Sequence, residues 1–300
     1  MKDYEVFLEG RYFCDLVFSN LPEIPRLGHE IYSREFHLVP GGVYTSAIAM
    51  HRLGIRTVWP CQFGSDPFSK FVKEQALTEG VDTSFFEDSD QPSLQITAAF
   101  SFKSERGFLS YMDPVEAYEY ATLIAHTRPK WVYITHLVLG SELDGLVEAA
   151  RSVGAKIYLD CQAHNHTLQN PFVCDGLAKV DVFSPNAEEA CKLTEKEHLS
   201  DALEELSKHV KTVIIKDGRA GCLLKDAHQT IHAPGIEVDL VDTTGAGDNF
   251  DCGFLYGQIH RFSLQETLRI ANIYGGLSAQ GYGGTTSAPT EAQLLNILRA

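Results

Sequence analysis

The stretch Asp242-Thr243-Thr244-Gly245-Ala246-Gly247-Asp248-Asn249-Phe250 sets small residues and a carboxylate between the apolar run "GIEVDLV" and the helical pattern "DCGFLYGQIHRF". Peptide N–H groups in the first turn of a helix are unpaired and the helix dipole adds positive potential, so an anion can be held there without a basic side chain. Gly245 and Gly247 lack a β-carbon and leave the amides of Gly245, Ala246 and Gly247 open to close approach. Asp248 is predicted in the first turn beside that anion. An acid is a poor phosphate ligand but an apt general base: it accepts the proton of an attacking hydroxyl while the amides stabilise a transferring phosphoryl group. A turn followed by a helix-capping Asp248 is the plainer reading of the same residues. The spacing fits neither the dinucleotide fingerprint G-x-G-x-x-G nor the P-loop G-x-x-x-x-G-K-[ST]. Gly253 and Gly257, four apart, are expected to seat this helix closely against a neighbour.

Elements that could position such a site follow from the apolar patterning. From residue 130 onward short apolar runs, "KWVYIT" (130–135), "AKIYLD" (155–160), "KVDVFS" (179–184) and "KTVIIK" (211–216), alternate with amphipathic segments such as "SELDGLVEAARSVG" and "LSDALEELSKHV". Strands that are apolar throughout need cover on both faces, which helical crossovers provide, so a parallel sheet between helix layers is predicted. Ligands collect beyond the carboxyl ends of such strands, where Thr135 and His136, Asp160, Ser184 to Asn186, and Lys216 to Gly218 stand. The first third differs: "YFCDLVF", "EFHLVP", "LQITAAFSF" and "GFLSYM" alternate or are half-polar, as expected of a small accessory sheet or lid with one wet face.

Composition narrows the function classes. The chain has 300 residues and a formal charge of −15, with no block of Lys and Arg, which argues against nucleic acid as a partner. No run of 18 apolar residues occurs and the start "MKDYEVFLEG" is acidic and strand-like, so neither a membrane span nor a secretion signal is expected and a cytoplasmic protein is the default. Seven scattered cysteines without a C-x-x-C pair read as reduced, mostly buried small hydrophobes. No linker or repeat divides the chain, so one domain over 1–300 is expected, with lid strands within about 11–39 and 95–112.

The segment "DTTGAGDNFDCGF" resembles the C-terminal signature of the PfkB (ribokinase-like) carbohydrate kinases, and the resemblance extends over nearly the whole chain. It implies a ribokinase-like three-layer α/β/α sandwich with a mostly parallel central sheet and a small β-sheet lid. In that family the motif forms an anion hole and its last acid, here Asp248, is the catalytic base. "PGGVYTSAIAMHRLG" is similar to the family's glycine pair before a helix, which makes Gly41 and Gly42 contacts to the sugar, and Asp15 matches an acid that binds sugar hydroxyls. "SPNAEEACKLT" resembles the N-x-x-E motif. It would let Asn186 and Glu189 hold Mg²⁺, through water, or simply cap a helix. "IIKDGRAGC" puts Lys216, Gly218 and Gly221 beside the nucleotide, with Thr243 lining the same site and Asn272 on its adenine side. Asp242, Thr244 and the loop around Gly284 are where many members hold a monovalent cation such as K⁺. The lid often builds a homodimer in the family.

Several positions depart from the family pattern. Ser46 stands where many members use Asn on the sugar, so that contact must shift or run through water. His164 replaces an Arg that suits acidic sugars, which argues against a ketodeoxygluconate-type acceptor, and Ser69 replaces a frequent glycine with no reading from sequence. Lys103 and Arg106, in the lid strands, read as solvated charges or as contacts to a phosphorylated acceptor. The expectation is an ATP- and Mg²⁺-dependent kinase acting on a hydroxyl, a primary one, of a sugar or related small polyol. The alternatives are a nucleoside kinase of the same fold and a sugar- or nucleotide-binding regulator without turnover.

Overall fold

The computed structural model describes residues 4–102, 105–114, 119–162 and 165–299. Lys103 and His164 fall outside the described residues, as does the side chain of Arg106. Strands Val6–Glu9 (β1), Tyr12–Ser19 (β2) and Glu35–Gly42 (β3) lead into helix Val43–Arg52 (α1). Strands Thr57–Val58 (β4) and Cys61–Phe63 (β5), helix Pro67–Glu79 (α2), and strands Phe86–Asp88 (β6), Gln95–Phe102 (β7) and Glu105–Met112 (β8) follow. Next come helix Tyr120–Thr127 (α3), strand Trp131–Ile134 (β9), helix Ser141–Ser152 (α4), strand Lys156–Asp160 (β10), helix Pro171–Lys179 (α5) and strand Val182–Ser184 (β11). Helices Ala187–Thr194 (α6) and Leu199–Leu206 (α7) precede strands Thr212–Lys216 (β12), Cys222–Lys225 (β13) and Thr230–Ala233 (β14). Helices Ala246–Ile259 (α8), Leu264–Ser278 (α9) and Glu291–Arg299 (α10) complete the order.

The large sheet runs β14-β13-β12-β11-β10-β9-β1-β4, parallel from β12 to β4 and antiparallel across its last two strands. Alternation along each strand divides the core in two. Val6, Leu8, Tyr133, Tyr158, Val182 and Ile214 pack with residues of α1, α8 and α9 on one face. Phe7, Val132, Ile134, Ile157, Leu159, Phe183, Val213 and Ile215 pack with α4 to α7 on the other. Strands sandwiched in this way have no wet face, which is why they read as continuous apolar runs.

A second sheet, ordered β3-β2-β7-β8, accounts for the half-polar runs of the first third. Its strand β3 runs past the expected end at 39 to Gly42, so the glycine pair lies within the sheet, opposite Phe13 and Tyr12. The outer strand leaves Phe108, Leu109, Tyr111 and Met112 exposed. Helix α5 was absent from the sequence reading, although Asn170 and Pro171 signal it: the Asn170 side chain accepts from Phe172 N–H and proline suits the first turn. Ser69 also gains an explanation. Its Oγ accepts from Tyr12 Oη at 2.8 Å and donates to Asp66 Oδ2 at 2.6 Å, tying β2 to the capped start of α2.

Candidate active site

Helix α8 begins at Gly245, whose φ of +70° is the left-handed conformation that glycine tolerates. Space is as restrictive as angle there: a β-carbon would stand 2.7 Å from Gly284 Cα and 2.9 Å from Thr45 Cγ2. The loop before the helix is held from its other side by Asp242, whose Oδ1 accepts from Thr244 N–H and Oγ1 and whose Oδ2 accepts from Gly283 N–H. Asp242 and Thr244 thus brace the loop before α8 against the Gly283–Gly284 turn. Gly253 and Gly257 seat α8 on α9 as expected, since β-carbons there would meet Ala271 and Thr267 within 3.0 Å.

Gly245, Ala246 and Gly247 line a cavity of about 790 Å³, of the size that suits a nucleotide and a small acceptor together; of the three amides expected to hold an anion, that of Ala246 donates to the Thr243 carbonyl at 3.2 Å. One end is apolar, lined by Ile236, Val238, Leu240, Gly275, Gly276 and Ala279. Asn272 also lines the cavity and donates from Nδ2 to the carbonyls of Ala233 and Pro234 at 3.0 and 3.1 Å. Gly218, Gly221 and Thr243 also line the wall. At the other end are Asp15, Gly42, Thr97, Phe108 and Ser110 of the small sheet. Asp248 lines the cavity at the first turn of α8. Burial, with Asp160 nearby, pushes its carboxyl up to about 7.

The remaining predicted residues occupy more specific places than the sequence showed. Burial lifts Asp15 to about 7 against the opposing pull of a Thr97 hydrogen bond. Gly41 serves that acid directly: a β-carbon on it would lie 2.0 Å from Asp15 Oδ2. Of the glycine pair it is Gly42 that lines the cavity, while Gly41 makes room for Asp15. Ser46 does not reach the cavity wall. It is fully buried on α1, its Oγ without a hydrogen-bond partner among the described residues, and its carbonyl accepts from Cys252 Sγ. Asn186 and Glu189 form a reciprocal capping box on α6, with Asn186 Oδ1 accepting from Glu189 N–H and Glu189 Oε2 from Asn186 N–H. Both nevertheless line the cavity beside Asp160, and burial first, then that like charge, raises Glu189 to about 7. A carboxylate so raised sits where a cation would lower its cost. Oxygen donors of this kind fit Mg²⁺.

The feature that sequence reasoning missed is Asp251, one turn beyond Asp248 and fully buried. Its Oδ1 accepts from Tyr158 Oη at 2.6 Å and Ser184 Oγ at 2.8 Å, and its Oδ2 from Tyr133 Oη at 3.2 Å and Lys216 Nζ at 3.0 Å. Lys216 also donates to Asp160 Oδ1 at 2.7 Å. Register explains the convergence. Tyr133 stands beside Tyr158, and Asp160 beside Ser184, in adjacent parallel strands, with Tyr158 and Asp160 two apart on the face toward α8. Burial pushes Asp251 up and the two flanking carboxylates hold Lys216 protonated. The legible signal was an acid inside the apolar helix "NFDCGFLYG", which has to be paired to be buried.

With this geometry in view, the pfkB family carbohydrate kinase pattern matches residues 20–291. The chain belongs to the PfkB family of carbohydrate kinases. A ribokinase of Haemophilus influenzae is 25% identical over 303 residues, covering 96% of each chain. An aminoimidazole riboside kinase of Salmonella typhimurium is 27% identical over 282 residues, covering 86% of this chain and 88% of that one. In three dimensions an Arabidopsis thaliana ribokinase superposes with a TM-score of 0.84 at 21% identity, covering all of both chains. The PfkB chain is therefore a ribokinase-like α/β/α fold with a small second sheet, and an ATP-dependent phosphotransferase onto a hydroxyl of a sugar or related polyol. None of its described helices is long and apolar enough to cross a membrane.

Proposed function

We propose that Asp248 is the general base of this kinase, taking the proton of a primary acceptor hydroxyl oriented by Asp15 and Gly42. The observation that carries this reading is the position of Asp248: its raised carboxyl opens onto one cavity with Asp15 at one end and the apolar slot below Asn272 at the other. The amides of Gly245 and Gly247 stabilise charge on the transferring phosphoryl group as donors fixed before reaction, and Ala246 N–H joins them by turning from the Thr243 carbonyl, to which it donates at 3.2 Å. Bound Mg-ATP supplies that phosphoryl group and neutralises its oxygens. Asn186 and Glu189 would hold the Mg²⁺, through water, and Lys216, Gly218, Gly221 and Thr243 would line the nucleotide's phosphate side, with Asn272 shaping the adenine end.

In this reading the small sheet is a lid over the acceptor, and the exposed Phe108, Leu109, Tyr111 and Met112 on its outer strand form a homodimer contact, in a protein of the cytoplasm. A monovalent cation at Asp242 and Thr244 belongs to the same reading; exchanging KCl for tetramethylammonium chloride should then lower turnover. The test of the whole is ADP release with ATP, Mg²⁺ and a panel of sugars, sugar phosphates and nucleosides. Turnover with at least one unphosphorylated polyol supports the reading. Silence across the panel, with nucleotide still bound, would favour a binding regulator.

A further inference from the structure

A second cavity, of about 650 Å³, adjoins the first, and Phe13, Gly42 and Gln162 line both. Its walls include Glu9 and Arg11 at the end of β1, Gln62, Gln95, and Thr135, His136 and Glu142 beyond β9. Two of these side chains are buried acceptors that no described residue answers. Glu9 is 4% exposed and Gln95 3%, and neither Glu9 Oε2 nor Gln95 Oε1 has a hydrogen-bond partner among the described residues. His136 Nδ1 comes within 3.6 Å of Glu9 Oε2, beyond hydrogen-bonding distance. Burial drives His136 down and raises Glu9 to about 8, so neither charge is well compensated by the other, and a cation in the cavity would favour the Glu9 carboxylate. Desolvated acceptors of this kind cost stability until a donor reaches them.

We propose that this cavity is a subsite for a protonated amine or other basic nitrogen carried by the hydroxyl substrate, anchored by Glu9 and Gln95. An ammonium has three donors and no acceptor, which answers two bare acceptors, and its charge answers Glu9 with Glu142 beside it. A phosphate or carboxylate on the substrate would instead meet three acids, Glu9, Glu119 and Glu142, with Arg11 as the opposing charge. The wall shared at Phe13, Gly42 and Gln162 lets one molecule place its hydroxyl toward Asp248 and its nitrogen toward Glu9. The substrate class narrows accordingly to an amino sugar, an amino polyol or a nucleoside with a basic heterocycle. This inference rests on the proposed kinase site for the reacting hydroxyl.

The experiment is calorimetric titration of the full chain with matched probes, glucosamine against glucose and 1-amino-1-deoxyfructose against fructose, beside ADP release from the same compounds with ATP and Mg²⁺. A hydrogen bond to a charged group is worth roughly tenfold or more in affinity. At least one amine should therefore bind about tenfold or more tightly than its neutral partner, and that ratio should collapse in Glu9→Gln. Gln95→Met, read alongside in case the first variant does not fold, should shrink the ratio too. Equal binding of each pair, no binding of any, or an amine preference that survives both substitutions overturns the proposal. So does tighter binding of fructose 6-phosphate lost in Arg11→Gln. Because binding is read without turnover, a Glu9-dependent preference with no ADP release would leave the subsite standing and remove the kinase assignment of Asp248 instead.

Discussion

Replacing Lys216 by methionine removes the cation between two carboxylates while keeping the side chain's length. Its Nζ lies 2.7 Å from Asp160 and 3.0 Å from Asp251, and the three side chains are 11%, 9% and 0% exposed. Breaking a buried pair from one side costs about 3–5 kcal/mol, because the other charge stays buried without compensation. The slight exposure of Lys216 and the Tyr133, Tyr158 and Ser184 donors to Asp251 put the expectation at the lower end, about 3 kcal/mol. At about 2 °C per kcal/mol for a chain of this size, the melting temperature should fall by about 6 °C at neutral pH. The deficit should shrink on acidification, since a proton on Asp251 replaces the lost cation, and Lys216→Met/Asp251→Asn should recover part of it. Differential scanning calorimetry across pH measures all three. A loss under about 1 kcal/mol, the worth of an exposed pair, would refute the view that this cluster is a buried, mutually dependent unit.

Three further outcomes follow from the same geometry. Burial lifts Asp248 from 3.8 to about 7, so between about pH 4 and 7 the folded chain holds a proton that the unfolded chain has released, and stability falls as pH rises through that window. Asp248→Asn should therefore melt higher than wild type above pH 7, with the gap closing toward pH 4; a gap independent of pH would contradict it. Gly245→Ala should destabilise the chain, because its β-carbon has no room beside Gly284 and Thr45 and its φ is +70°. Gly247→Ala should instead melt within about 1 kcal/mol of wild type, since its β-carbon makes ordinary contacts with Lys216 at 3.4 and 3.8 Å, yet should lower kcat by intruding on the amide cradle. Equal thermal losses in the two glycine variants would count against this account of the loop.

The fold was legible where periodicity is strong. Apolar runs with no wet face gave away the parallel sheet, and the half-polar strands of the first third gave away the small one. Helix α5 carries a capping signal in Asn170-Pro171, but its 9 residues are too short a run to set a helical apolar period. The strand-end residues Asp160, Ser184 and Lys216 were visible as positions, but their convergence on Asp251 depends on register between strands, which no single run of sequence carries. The same holds for Gly41, whose requirement comes from the Asp15 carboxylate across the β2–β3 ladder. Ser46, read as a substrate contact from its spacing to the glycine pair, lies in the core because the turn of α1 directs it toward Cys252. Glu9 had no signature in sequence beyond an acid ending an apolar strand.

Phosphoryl transfer by this chain turns on Asp248 as the base. The decisive measurement is single-turnover phosphoryl transfer by Asp248→Asn against wild type, with the best acceptor of the panel and with nucleotide binding measured in parallel. A loss of at least about 10²-fold with nucleotide affinity kept is the predicted result, given what a general base contributes. The wild-type kcat/KM should also fall on the acid side with an apparent pKa near 7, where Asp248 takes up its proton. Transfer by the variant within a few-fold of wild type would contradict the mechanism.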